Sequence, residues 1–182
     1  MHQPTRTFKI SFTSWSCRHI QVTEHDTPLY IADVHTRKPN MIFKTHPSET
    51  QFATVTLHAL SSHTDIILDN QDTVLNLKSG FRHQANFTSR TLQTTLEWNT
   101  KSLMKGYDFE LVDQNGTPLA QYINDWCHNT AKVDIFFNLN EAVIREIVVT
   151  GLALVYGRTG RLTTVNTHTG DSAGSLVAAG VI

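Results

Sequence analysis

The sequence has 182 residues, 40% of them hydrophobic and only 17% charged, which suits one domain with a sizeable core and excludes a disordered chain. Fifteen lysines and arginines stand against sixteen aspartates and glutamates, so no net field draws the chain to nucleic acid or to an acidic surface. Ten histidines add positive charge only in mildly acidic conditions, since a free imidazole titrates near pH ~6.5.

Residues 7–12 (TFKISF) alternate, with Phe8, Ile10 and Phe12 on one face, as in a half-buried strand. Residues 18–23 (RHIQVT) repeat the pattern, and Glu24-His25-Asp26 turns the chain. Thr27-Pro28 opens LYIADV, since proline is tolerated at a strand's first residue. After the polar turn Arg37-Lys38-Pro39-Asn40 come MIFKT, FATVTLHA, DIILD and TVLNLK, separated by turn-forming clusters. In 92–98 (LQTTLEW), Leu92, Thr94, Leu96 and Trp98 face one way. Residues 107–113 lead into Asn115-Gly116, the strongest short hairpin signal. Thr117-Pro118 opens LAQYIND, and 132–138 is the last strand, with Val133, Ile135 and Phe137 inward. Short strands at this spacing predict an all-β barrel or sandwich. Thr27-Pro28-Leu29 returns as Thr117-Pro118-Leu119, which either two similar β-meanders or chance produces.

The stretch 140–158 (NEAVIREIVVTGLALVYGR) is a different kind of segment. From Ile147 to Tyr156 only Thr150 and Gly151 interrupt the apolar run, so a helix there is hydrophobic on every face and belongs inside a core or a membrane. It is about half the roughly 20 residues of a bilayer span, and Arg145 and Glu146 stand at its start, so a buried helix is expected and no transmembrane segment. Asn140 suits the N-cap and Glu141 the helix dipole, and Gly157 or Gly160 is the expected end. Gly151 is expected to permit close approach of a strand or a bulky side chain. The chain therefore divides into one domain, 1–160, with its helix at about 140–157, and a Gly/Ser/Thr-rich tail, 161–182. That tail is either a flexible polar extension or, through Leu176-Val177-Ala178-Ala179, a surface for homo-oligomers.

The strand LEW, the hairpin YDFELVDQNGTPLAQYI, the strand VDIFF and the helix IREIVVTGLALVYGR, in that order, resemble the fungal members of the Tubby C-terminal-like superfamily, which includes LURP-one-related proteins and phospholipid scramblases. The resemblance covers residues 92–158 and implies a closed antiparallel barrel of roughly 12 strands threaded by its C-terminal helix, the helix filling the lumen. Tubby proteins bind phosphoinositide head groups through basic barrel residues. The palmitoylated cysteine cluster and proline-rich segment of scramblases have no counterpart here, and the residues after the helix depart from the family's pattern.

Candidate sites follow from chemistry. Arg82, His83 and Arg90, joined by Lys101 and Lys105, would serve an anionic head group if they converged; otherwise they are solvated loop charges. Asp125-Trp126-Cys127-His128 offers a thiol beside an imidazole, yet neighbours on a strand point to opposite faces. Asp33 and His35 would share a face and hydrogen-bond. Cys17 and Cys127 are expected as buried free thiols. No spacing matches a zinc site, EF-hand, P-loop or dinucleotide fingerprint, so neither metal nor cofactor is expected. The opening MHQPTRTFKISF lacks the apolar core of a secretory signal, so the cell interior, at membrane surfaces if lipid is bound, is the expected compartment. The leading expectation is a non-enzymatic barrel that binds a phosphoinositide, another anionic lipid or a protein partner on its exterior. The alternatives are a small-molecule enzyme or ligand-binding barrel with a pocket at its mouth, and an oligomer built through the tail.

Overall fold

Alternation drives the strands. In the computed structural model, which describes residues 3–13, 18–58, 61–78, 84–101, 108–125 and 130–170 (side chains of the last segment as far as Gly157), twelve strands form a single meander. They are β1 (Arg6–Phe12), β2 (His19–Glu24), β3 (Thr27–Val34), β4 (Met41–Thr45), β5 (Gln51–Leu57), β6 (His63–Leu68), β7 (Gln71–Lys78), β8 (Gln84–Ser89), β9 (Thr94–Thr100), β10 (Phe109–Val112), β11 (Pro118–Asp125) and β12 (Thr130–Ile135). Each is antiparallel to its neighbours in sequence, and β1 closes on β12, with Phe8 opposite Val133 and Ile10 opposite Ala131. Closure leaves no unpaired edge among the described strands to recruit another chain.

The helix α1 (Glu141–Gly170) occupies the lumen. Ile147 through Val155 are all buried, on every side of the helix, which only a surrounding wall accomplishes. Its partners confirm the encirclement: Arg6 and Tyr30 from β1 and β3, Phe52 from β5, Ser89 from β8, and Trp98 and Tyr122 from β9 and β11. Asn140 caps it as expected, its Oδ1 accepting the Val143 amide at 2.9 Å. Neither Gly157 nor Gly160 ends it. Among the described glycines only Gly116 takes a positive φ (78°), so no left-handed terminator forms at Gly157, and a helical glycine alone costs only about 1 kcal/mol.

Three further differences from the sequence reading have physical causes. Strand β8 departs from the apolar alternation of its neighbours, because its inward residues are Ala85, Phe87 and Ser89, with one large apolar side chain among them. Strand β9 begins at Thr94 rather than Leu92, because Gln93 sits in a turn at φ 51°, and Leu92 is exposed. Strand β12 ends at Ile135, which leaves Phe137 39% exposed instead of inward.

The Thr-Pro-Leu echo has a structural meaning. In both β3 and β11 the register slips one residue after the proline, leaving Leu29 and Leu119 as bulges. A third bulge at Phe52 uses no proline. The two motif strands are separated by four steps around the barrel in one direction and eight in the other, so the echo marks a shared bulge and not a pair of half-barrels. At Phe52 and Leu119 the bulge turns two consecutive side chains inward, with Ala53 and Ala120 as the second.

The meander sorts its connections into two rims. The helix enters beside the turns 25–26, 46–50, 69–70, 90–93 and 113–117, and leaves at the opposite rim, where the described connecting residues are Thr13, Arg18, 35–40, His58, Ser61, Ser62, Lys101 and Asp108.

Candidate functional site

Polar groups at the barrel's entrance and within its lumen hold the helix. Glu141 accepts from Arg6 at 3.2 Å and from the Tyr30 hydroxyl. Arg145 reaches Asp69 at 3.4 Å and lies 5.1 Å from the Phe52 ring centre. Buried Glu146 accepts from the Ser89 hydroxyl, from the Thr91 hydroxyl at 2.9 Å and from the Thr91 amide at 3.2 Å. The Trp98 indole donates to Thr150 Oγ1 at 3.1 Å, and that hydroxyl donates to the Glu146 carbonyl at 2.7 Å. Arg6 also forks onto Glu24, with both bonds at 2.7 Å. The guanidinium holds the Glu24 carboxyl below its ordinary value, and the carboxylate raises the guanidinium in turn. Burial pushes the phenols of Tyr30 and Tyr122 up, with the bond to Glu141 adding to Tyr30. The Tyr122 hydroxyl is buried without a hydrogen-bond partner.

The outer wall carries the remaining clusters. Asp33 Oδ1 meets His19 Nδ1 at 2.8 Å and Asp33 Oδ2 accepts from Lys44 at 3.0 Å, so Asp33 pairs across strands and not with His35 along its own. Near the exit rim, Asp65 meets His58 at 2.7 Å, and His63 is 3.9 Å from its other oxygen. A depression of about 160 Å³ on the outer wall at the entrance end is lined by Gln51, Phe52, Ala53, Thr54, Ile67, Asp69 and Asn70. Its one titratable group, Asp69, is engaged by Arg145, so it offers no acid–base pair.

The basic candidates divide. Arg90 follows β8 at the entrance rim and donates to the Asp72 carbonyl. Lys101 follows β9 at the exit rim, 3.4 Å from Glu110 and 3.0 Å from Gln121. Ser89 pairs with Thr94 and Gln84 with Asn99, so these two side chains leave opposite ends of the barrel, roughly 20 Å apart at the usual rise per residue. They cannot grip one head group. Arg82, His83 and Lys105 lie outside the described residues, as do Cys17, Trp126, Cys127, His128 and the tail 171–182.

Net charge conceals a second feature. Among the described residues, the exit-rim connections carry exposed Arg18, Arg37, Lys38 and Lys101 against one carboxylate, Asp108. Asp108 is buried, its Oδ1 accepting the Asn124 amide at 3.0 Å. The strand ends Lys78 and Asp125 at that rim cancel, and Lys101 is offset by Glu110 of β10, which leaves Arg18, Arg37 and Lys38 as the excess. The entrance-rim turns carry Asp26, Glu49, Asp69 and Asp113 against Arg90. A chain of net charge −1 therefore presents a basic rim and an acidic one. Alternate turns of a meander face alternate ends, so this polarity was available from sequence only with every strand counted.

No family model, no curated protein and no solved structure matches this chain. Among the described residues no helix is long and apolar enough to cross a membrane.

Proposed function

We propose that this chain is a non-enzymatic barrel of the Tubby C-terminal-like kind that docks its exit rim against an anionic membrane surface, with phosphoinositide head groups as ligand. The observation that carries the reading is the charge segregation between the rims. The helix fills the lumen, so recognition falls to the outside, and the outside is basic where the helix emerges. Lys101 remains a ligand residue, with Arg82, His83 and Lys105 kept as sequence candidates. Arg18, Arg37 and Lys38 join them, and Arg90 leaves the set because it stands at the acidic rim.

A basic residue at an anionic surface contributes about 1 kcal/mol. Reversing Arg37, Lys38 and Lys101 to glutamate should therefore weaken binding to phosphoinositide vesicles by at least about a hundred-fold. Co-sedimentation with vesicles, repeated at rising salt, reads this directly. Arg90→Glu should bind as the wild type does. Equal binding to neutral vesicles, or loss through Arg90 alone, refutes the assignment.

A further inference from the structure

We infer that His58, His63 and Asp65 form a binding site for a divalent transition-metal ion of the zinc class on the outer wall beside the exit rim. The inference is independent of membrane docking. The three side chains are brought together by one hairpin. In the β5–β6 register Thr56 faces Asp65 and Leu57 faces Thr64, and one further step sets His58 opposite His63. Thr64 and Ile66 point inward and are buried, so alternation turns His63 and Asp65 outward onto the same face as His58. The potential donor atoms of all three lie within 4.8 Å of one another, and the imidazole rings are 4.9 Å apart between centres.

A tetrahedral ion about 2.0–2.2 Å from nitrogen and oxygen ligands sets them about 3.3–3.6 Å apart, so the most separated donors must close by roughly 1.3 Å. The side chains are 26%, 45% and 50% exposed for His58, His63 and Asp65, which leaves the rotamer freedom for that adjustment and a path for the ion. Two imidazoles, borderline donors, outnumber the one hard carboxylate, so the set suits zinc, nickel, cobalt or copper and is poorly suited to calcium or magnesium. Three protein ligands leave at least one position for water. The spacing His-x4-His-x-Asp is no zinc-finger pattern, and the three residues come together only through the hairpin register.

One neighbour separates a metal site from an ordinary surface ion pair. The Lys38 ammonium lies 3.3 Å from His58 Nδ1. It lends its proton to that nitrogen, which favours the tautomer that donates Nε2–H to Asp65. A metal on His58 Nε2 reverses this tautomer and stands near the ammonium charge, so Lys38 opposes binding. A site of this kind gains affinity when the lysine is removed, whereas a mere ion-pair cluster has no such dependence.

The test is calorimetric titration of zinc ion into the untagged full chain after chelator treatment, with cobalt(II) absorption as a second reading of the ligand field. One saturable ion per chain is expected. His63→Ala should weaken it by at least about ten-fold, in line with the sensitivity of metal sites to their supporting groups. Lys38→Met should strengthen it several-fold. Both changes lie on the outer surface, and unchanged melting without metal confirms that the variants fold. Absence of saturable uptake up to millimolar zinc overturns the inference. So does wild-type affinity in the double variant His63→Ala, Asp65→Asn, which would assign the ion to other histidines.

Discussion

Gly151 offers the sharpest test of the threaded barrel, because its tolerance depends on one side chain of the wall. A Cβ at this position would lie 3.3 Å from Cζ2 and 3.5 Å from Cη2 of Trp98, and 3.7 Å from Cδ2 of Tyr122. Carbon atoms prefer about 3.5–4.0 Å, so Trp98 must retreat by a few tenths of an ångström. It is fully buried, and its indole nitrogen is held 3.1 Å from Thr150 Oγ1, one residue from Gly151. Retreat therefore weakens a buried hydrogen bond worth about 1 kcal/mol. Against this, alanine gains about 0.8–1.0 kcal/mol of helix propensity over glycine. The two effects nearly cancel, and Gly151→Ala should change stability by less than about 0.5 kcal/mol. In a Trp98→Phe background the two crowding carbons are absent, and the same alanine should stabilise by nearly the full propensity difference. The coupling between the sites is then close to 1 kcal/mol and favourable. Urea unfolding of the four proteins, followed by circular dichroism, measures it. Additivity within about 0.3 kcal/mol, or an alanine that stabilises equally beside tryptophan and phenylalanine, would refute the packing of the helix on this wall.

Two further outcomes follow from shifted ionisations. Arg6 lowers the Glu24 carboxyl, so the unfolded chain takes up that proton first: the stabilisation is present above the ordinary glutamate value near pH ~4.3 and is lost as pH falls through the lower folded value. Glu24→Gln should therefore lie below the wild type in urea midpoint at neutral pH and converge with it in acid; a constant gap down to low pH would sink the account. Tyr30 and Tyr122 are raised by burial, and a raised phenol stabilises the fold below its unfolded value near pH ~10 and ceases to as pH climbs above it. Of the four tyrosines, no more than two should show ultraviolet phenolate absorbance before the protein unfolds in alkali, and a four-tyrosine native titration would contradict the burial.

Most of the barrel was legible because most of its wall alternates large apolar residues with polar ones, as Phe8/Ile10 and Leu96/Trp98 do. Strand β8 broke that rule for a reason lodged in the helix. Ser89 turns inward to bond buried Glu146, so a small polar residue stands where the pattern calls for an aliphatic one. The cost of missing it was larger than one strand. Without β8, residues 79–91 read as a single loop, and Arg82, His83 and Arg90 share it. With β8 in place, the chain crosses the barrel from Gln84 to Ser89, and every later connection changes ends. The helix was legible in composition and in its cap, but its continuation to Gly170 was not, because a glycine marks a helix end only where the backbone takes the left-handed conformation.

The helix sequence also explains why the two rims are free to differ. Its entrance is tied by charge and hydrogen bond: Glu141 to Arg6 and Tyr30, Arg145 to Asp69, Glu146 to Ser89 and Thr91. Beyond Glu146 the buried helix is apolar except for Thr150. Reversing the helix would part Glu141, Arg145 and Glu146 from these partners, and a buried charged or polar group left unpaired costs several kcal/mol, so its direction in the barrel is fixed. Orientation is thereby decided at one end alone, and the acidic turns there, Asp69 above all, are part of that anchoring. At the exit rim Arg37 and Lys38 are exposed, and the contacts of His63 and Asp65 run within their own hairpin. These are the groups that substitution can remove with the least cost to the fold, which is why binding experiments at this end separate recognition from stability.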